Sequence, residues 1–361
     1  MASDHFHNEP FDEGTLTKLD IFQLYTREWL PVFLSREVDY LREVHLFDFF
    51  AGPGTDANGE PGSPLRTLAA LREYSTHPNL HAWGKVPVTA HFSESTLWKA
   101  KKLKAIVESE KWRIPGVNTR TTRADFAGAF AEAESILQAR DAAKLLLLDQ
   151  FGVSEVTREV FLKLVSYPRT DFLFFISSAT LQRFREHPNI RHKIRRADDF
   201  NQVHHAVLNY YREMLPPAKR YYLAPFSIKK GSNIYGIIFG SAHPLGMDKF
   251  LTVAWEKDGL NGNANFDINR DALAAGEFML DLGPTTRPLK INVFEEELEA
   301  ALRQKKLRDE IGVMELCYRH GVMRKHARPV LQRLHKEGII QIAFQIPNLD
   351  YLKTPRLIRY P

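Results

Sequence analysis

Two rhythms of apolar residues alternate along the first two thirds of the chain. Short runs, "HLFDFF" (45–50), "PVTAHFS" (87–93), "KLLLLD" (144–149), "DFLFFIS" (171–177) and "NIYGIIFG" (233–240), have the length and continuity of strands buried on both faces. A further strand is expected around 117–122. Between them, apolar residues recur at helical spacing over 64–75, 95–110, 126–140, 155–166 and 179–186. Ahead of the first strand, "TKLDIFQLYTREWLPVFLSREVDYL" repeats Leu19, Phe22, Leu24, Trp29, Leu30 and Phe33 at helical intervals, with an interruption expected at Pro31. Short apolar strands alternating with helices predict an α/β fold, a Rossmann-like, doubly wound, mostly parallel sheet.

The pattern changes near the end. "AHPLGMDKFLTVAWEKDG" (242–259) reads as a loop followed by a helix. Residues 258–289 are rich in Gly, Asn and Asp and suggest a boundary. We therefore expect a first domain over 1–289 and a second over 290–361. In the second, a charged helix (294–310) precedes "VMELCYRHG" and "VMRKHARPVLQRLHKEGIIQIAFQ". A short helix, a glycine turn, a basic helix ending at Gly338 and a β-branched strand make a C-terminal winged-helix-like pattern, with Pro329 in the first turn of the basic helix. A packing appendage is the alternative.

Composition adds constraints. With 44% hydrophobic and 26% charged residues the chain has what a folded core needs. No apolar run reaches membrane-span length, and the polar start "MASDHFHNEPFDEG" lacks signal-peptide shape, so cytoplasmic residence is expected. The single cysteine, Cys317, excludes an internal disulfide or a multi-cysteine metal site and reads as a buried thiol; no metal site is expected. Residues 311–361 carry nine Lys/Arg against Glu315, Glu337 and Asp350, a balance of +6 within a total of +5, so the other 310 residues sum to −1. A basic terminal module suits an anionic partner, and nucleic acid is the expected one. Its candidate contacts are Arg324, Lys325, Arg328 and Arg333. A second basic run, "RFREHPNIRHKIRR" (183–196), contributes Arg191, Lys193, Arg195 and Arg196, with a solvated face as the simpler reading.

Candidate chemistry gathers at the ends of the strands. "DFFAGPGTDANGEPGSPL" leaves the first strand through Gly52 and Gly54, which permit close backbone approach, and Ser63-Pro64 reads as N-cap and first residue of the next helix. Asp48, Glu94, Asp125 and Asp149 each fall at or just beyond a strand end. That arrangement resembles methyltransferases that use S-adenosylmethionine, which bind it in the crevice at the carboxyl ends of the strands. The resemblance implies cofactor contacts from Asp48, Gly52, Gly54, Glu94 and Asp125. In "LLLLDQFG" Asp149 and Phe151 would face the acceptor as catalytic residues, although Gln150 and Gly152 depart from the Asp/Asn-Pro-Pro-aromatic turn of amino-group methyltransferases. Alternatively Asp149 caps the following turn and Phe151 packs.

"TKLDIFQLYTREWLPVF", "DFFAGPG…GEPGSPL", "LLLLDQFG" and "IYGIIFGSAHPLG" together resemble the three-Cys-motif partner (TcmP) family over most of residues 15–250. That resemblance implies a Rossmann-type methyltransferase fold and a partner protein that carries the three cysteines and resembles radical S-adenosylmethionine enzymes. Two functions follow as expectations. One is an S-adenosylmethionine-dependent methyltransferase acting on nucleic acid. The other is a non-catalytic DNA-binding accessory of the three-cysteine partner.

Overall fold

The computed structural model describes residues 9–77, 82–149, 156–176, 203–217, 219–230, 233–257, 265–267 and 290–361. The chain divides into two compact units, Met1–Gly246 and Met247–Pro361. The expected boundary at 258–289 falls mostly outside the described residues, as does the expected helix at 179–186.

In the first unit seven strands form one sheet: β1 Glu43–Asp48, β2 Val88–Ser93, β3 Val117–Thr122, β4 Ala142–Leu148, β5 Thr170–Ile176, β6 Tyr222–Lys230 and β7 Asn233–Ser241. Their order is β3-β2-β1-β4-β5-β7-β6. β1 to β5 run parallel, and β7 is antiparallel to both β5 and β6. The 3-2-1-4-5 portion is the doubly wound order, and the β6–β7 hairpin adds to it beside β5. Every residue of β4 is buried, as a central strand requires, including Lys144, whose Nζ donates to Ala139 O at 2.6 Å.

Helices connect the strands: α1 Glu13–Leu34, α2 Ser63–Ser75, α3 Leu97–Val107, α4 Phe126–Gln138, α5 Arg158–Ser166 and α6 Val203–Met214. Right-handed crossovers place α2 and α3 on one face and α4 and α5 on the other. On the latter face Phe47, Leu146, Leu148, Phe172 and Phe174 from the strands and Phe49 just after β1 pack with Phe126, Phe130, Phe161 and Tyr211 from α4, α5 and α6.

Three local expectations are corrected. α1 runs through Pro31 without a break. The proline lies in the last turn, so its missing N–H removes one bond just before the helix ends at Leu34, where Ser35 N–H donates to Pro31 O. α2 is capped by Gly62, and Ser63 is its first residue. Its hydroxyl acts instead on the Asp48 carboxylate. β6 is absent from the strands expected above; its "YLAPFSIKK" carries a proline, and Pro225 pairs in register with Ile238.

The second unit contains the end of α7 Pro244–Lys257, then α8 Lys290–Arg303, α9 Glu310–His320 and α10 Arg328–Lys336. α9 ends at Gly321 in the left-handed region (φ 65), and α10 starts at Arg328 with Pro329 in its first turn. The β-branched strand expected after Gly338 is reduced to a single bridge, Gln341 with Arg359. Ile340 and Phe344 are buried, Ile342 half-buried, and Gln341 and Ala343 exposed, so the segment keeps a strand's alternation while its pairing is limited to that bridge. Buried Glu310 takes Arg356 in a 2.6 Å ion pair and both Asn348 N–H and Arg356 N–H, which ties down the C-terminal segment. Cys317 is fully buried. No helix of the described residues is long and apolar enough to cross a membrane.

Candidate functional site

The strand register aligns the four acids. Asp48 is opposite Phe92 of β2 and Leu147 of β4, so Glu94 and Asp149 each lie two residues further on. Glu94 N–H donates to Thr122 O at 3.1 Å, three residues before Asp125. The carboxyl edge therefore reads Asp125, Glu94, Asp48, Asp149 across β3, β2, β1 and β4. The switch in crossover direction falls between β1 and β4, where doubly wound folds take their ligands.

Asp48 is 2% exposed. Oδ1 accepts Phe50 N–H at 3.1 Å, whereas Oδ2 is buried with no hydrogen-bond partner among the described residues. Burial pushes the carboxyl up to about 7; the Ser63 hydroxyl and Phe50 N–H pull it down, neighbouring Asp149 pushes it up and Lys18 pulls it down. A buried carboxylate oxygen without a partner is costly and points to a group that the protein alone does not supply.

Asp149 is not open to solvent chemistry on both oxygens. Lys18 of α1 donates to its Oδ2 at 2.5 Å, and Lys18 Nζ also lies 4.3 Å from the Phe175 ring centroid. The Lys18 side chain is 8% exposed and that of Asp149 23%. Asp48, Lys18 and Asp149 thus form one charged cluster. Lys18 was missed by sequence reasoning; its only signal is a cation amid the apolar positions of "TKLDIF".

Glu94 and Asp125 each commit an oxygen to the backbone. Glu94 Oε1 accepts Thr96 N–H at 2.7 Å at the start of α3, and Asp125 Oδ1 accepts Gly128 N–H at 2.8 Å as the N-cap of α4. Glu94 is buried and Asp125 exposed.

The long loop after β1 is a folded unit of its own. Gly52 (φ 62) and Gly54 (φ 91) take left-handed conformations. Thr55 bridges Pro61, and Gly62 N–H donates to Gly54 O at 2.8 Å. The buried carboxylate of Asp56 gathers Phe11, Asn58 and Glu60 N–H groups at 2.7–2.8 Å. A Cβ at Gly54 would come 3.1 Å from Leu103 Cδ1, so this glycine serves the turn and its contact with α3.

Among the remaining candidates, Phe151, Arg191, Lys193, Arg195 and Arg196 lie outside the described residues. Arg324 is engaged internally, bidentate to Asp248 at 2.8 Å through both Nε and Nη2, and Arg333 pairs with Glu299 at 2.7 Å. Lys325 and Arg328 are exposed. A cleft of about 960 Å³ opens at the amino ends of β4 and β5, lined by Tyr40, Asp141 and Arg169 among others. It is at the opposite end of the sheet from the acids, and the strand-end geometry is the better guide to the site.

No protein-family model and no curated protein matches this chain. Solved structures of methyltransferases resemble it distantly. A SAM-dependent methyltransferase from Agrobacterium tumefaciens has 10% identity and a TM-score of 0.34, covering 64% of this chain and 62% of its own. The human methyltransferase 10 domain containing protein has 9% identity and a TM-score of 0.30, covering 65% and 85%. TYW2 of P. horikoshii, solved in complex with MeSAdo, has 12% identity and a TM-score of 0.29, covering 64% and 62%. At these scores the likenesses carry no residue to this chain, and the fold stands on its own strand order.

Proposed function

We propose that this protein is an S-adenosylmethionine-dependent methyltransferase acting on nucleic acid. The observation that carries the reading is Asp48, a buried carboxylate with one unpartnered oxygen at the switch point of a doubly wound sheet. Asp48, the Gly52–Gly54 turn, Glu94 and Asp125 would hold the cofactor. When bound, it supplies a methyl group on a positively charged sulfonium. A cationic ligand suits a carboxyl that burial holds near neutrality, since the ligand's charge compensates the ionised form. Asp149, steadied by Lys18, and Phe151 would orient the acceptor, and catalysis would rest on positioning in a dry site.

The helix–turn–helix of α9 and α10 supports a winged-helix-like module with Lys325 and Arg328 turned to phosphate, and Arg191, Lys193, Arg195 and Arg196 would add to it. One observation favours the second reading, a non-catalytic DNA-binding accessory of a three-cysteine-motif protein: Asp149 Oδ2 is already taken by Lys18.

Calorimetry with S-adenosylmethionine tests the first reading. Binding near pH 7 should release protons as Asp48 ionises, so the measured heat should depend on the buffer's ionisation enthalpy. Asp48→Asn should lose that dependence. Absence of binding at millimolar cofactor would decide for the accessory reading.

A further inference from the structure

Helix α3, "LWKAKKLKAIV", carries four lysines and no acid. Ala100, Leu103 and Val107 form its buried side, together with Lys99. The opposite side exposes Leu97 (45%), Trp98 (43%), Lys101, Lys102 and Ala105. Trp98 and Lys102 are one turn apart and share a face, which Ala105 and Ser109 continue. This face runs into a cleft of about 480 Å³ between α3 and the 55–61 loop, lined by Lys102, Ala105, Lys111, Trp112, Thr55 and Pro61 among others. At its far end Arg72 Cζ and Lys111 Nζ lie 5.1 and 5.8 Å from the Trp112 ring centroid. Lys104 pairs with Glu108 at 3.7 Å, while among the described residues Lys101 and Lys102 have no carboxylate partner.

Two features select the occupant. An indole 43% exposed, with Lys99 Nζ 5.7 Å from its ring centroid, still offers a stacking surface, and Lys101 and Lys102 near it attract polyanions. Acidic peptide would use the lysines and leave Trp98 uncovered. A duplex keeps its bases stacked and would also leave the ring uncovered. From Trp98 to Ala105 the helix rises about 10 Å, the length of about three stacked nucleotides. The track begins beside Glu94, whose carboxylate accepts Thr96 N–H just ahead of α3, and so starts at the row of strand-end acids.

We infer that the outer face of α3 is a track for single-stranded nucleic acid. Trp98 stacks on a base, Lys101 and Lys102 neutralise phosphates, and the strand continues into the Lys111–Trp112 cleft. The inference rests on the nucleic-acid part of the proposed function and is independent of methyl transfer.

The test uses the full chain and a fluorescently labelled oligodeoxythymidylate, with affinity read by anisotropy across a salt series. Trp98→Ala should weaken binding about tenfold or more. Lys101→Gln with Lys102→Gln should flatten the slope of log affinity against log salt by about 1.4, two single-strand phosphate contacts. All three side chains are exposed, so circular dichroism and melting should match the parent chain. If the parent chain binds no oligonucleotide, the nucleic-acid reading fails and the track with it. If it binds, and only Lys325→Gln with Arg328→Gln weakens it, the track is overturned while the reading stands. Binding to phosphatidylserine vesicles that is stronger than to the oligonucleotide and equally sensitive to Lys101 and Lys102 would overturn it in favour of a membrane surface.

Discussion

Asp48 and Asp171 are the same residue type buried in parallel strands of one sheet, yet they end in opposite conditions. Asp171, at the amino end of β5, accepts Tyr25 Oη–H at 2.6 Å and is also acted on by the Ser241 hydroxyl. The space beside it is closed: a Cβ on Gly246 would come 2.9 Å from Asp171 Oδ2 and 2.4 Å from Ser241 Oγ. Asp48, at the carboxyl end of β1, keeps an oxygen without a partner. Burial raises both carboxyls, Asp171 to about 6 and Asp48 to about 7. A shifted acid therefore does not by itself mark a site. The oxygen without a partner distinguishes Asp48, because Asp171, buried in the same sheet, takes the Tyr25 hydroxyl on its Oδ2.

The largest test of this contrast is the pH dependence of stability. In the unfolded chain Asp48 returns to the ordinary carboxyl value of about 3.9. The folded state holds its proton more tightly, so stability from this group is present below about pH 4 and is lost as pH rises toward 7. The full effect is about 4 kcal/mol, as an order of magnitude. Denaturant unfolding of the parent chain and Asp48→Asn should thus diverge between pH 4 and 7, the variant being the more stable at pH 8. Parallel curves would mean that the Asp48 carboxyl is compensated within the fold in spite of its unpartnered oxygen.

The second test acts on the sealed side. Gly246→Ala should destabilise by about 1–3 kcal/mol, because Ser241 and Asp171 must shift to admit a methyl group. Cofactor affinity should be unchanged, since the residue is at the other end of the sheet from Asp48. A variant as stable as its parent would show that the Asp171 corner has room, and the contrast would lose its structural half.

How much of this was legible in the sequence depends on what each residue leans on. The strands β1, β4 and β5 were readable because a run such as "LLLL" has no other comfortable home than the middle of a sheet. The four strand-end acids were readable for the same reason, as polar residues where apolar runs stop. Lys18 was not readable: its helix is apolar in pattern, and its carboxylate partner is 131 residues away. Nor was the loss of Arg324 and Arg333 to internal ion pairs, since charge counts do not reveal which cations already have partners. The lysines of α3 were overlooked because nearby acids balance the charge of the first domain as a whole, while on the helix itself they stand without them.

The smallest effect separates two roles for Asp125. Its Oδ1 caps α4 through Gly128 N–H at 2.8 Å, and as one of the proposed cofactor contacts its other oxygen would accept a hydrogen bond, for which the cofactor's adenine amino group is the suited donor. Asp125→Ala removes both and should cost about 1 kcal/mol of stability. Asp125→Asn has only one oxygen to give. Turned to the backbone it preserves the cap, since asparagine caps as well as aspartate, but it then presents an NH₂ where an acceptor is required. Asn should therefore melt like the parent chain while binding S-adenosylmethionine about tenfold more weakly, the loss of one hydrogen bond. Asp48→Asn, by contrast, should alter both affinity and the pH dependence of stability. If Asp125→Asn leaves both melting and affinity as they were, Asp125 is a helix cap alone and the adenine contact belongs to another residue of that edge.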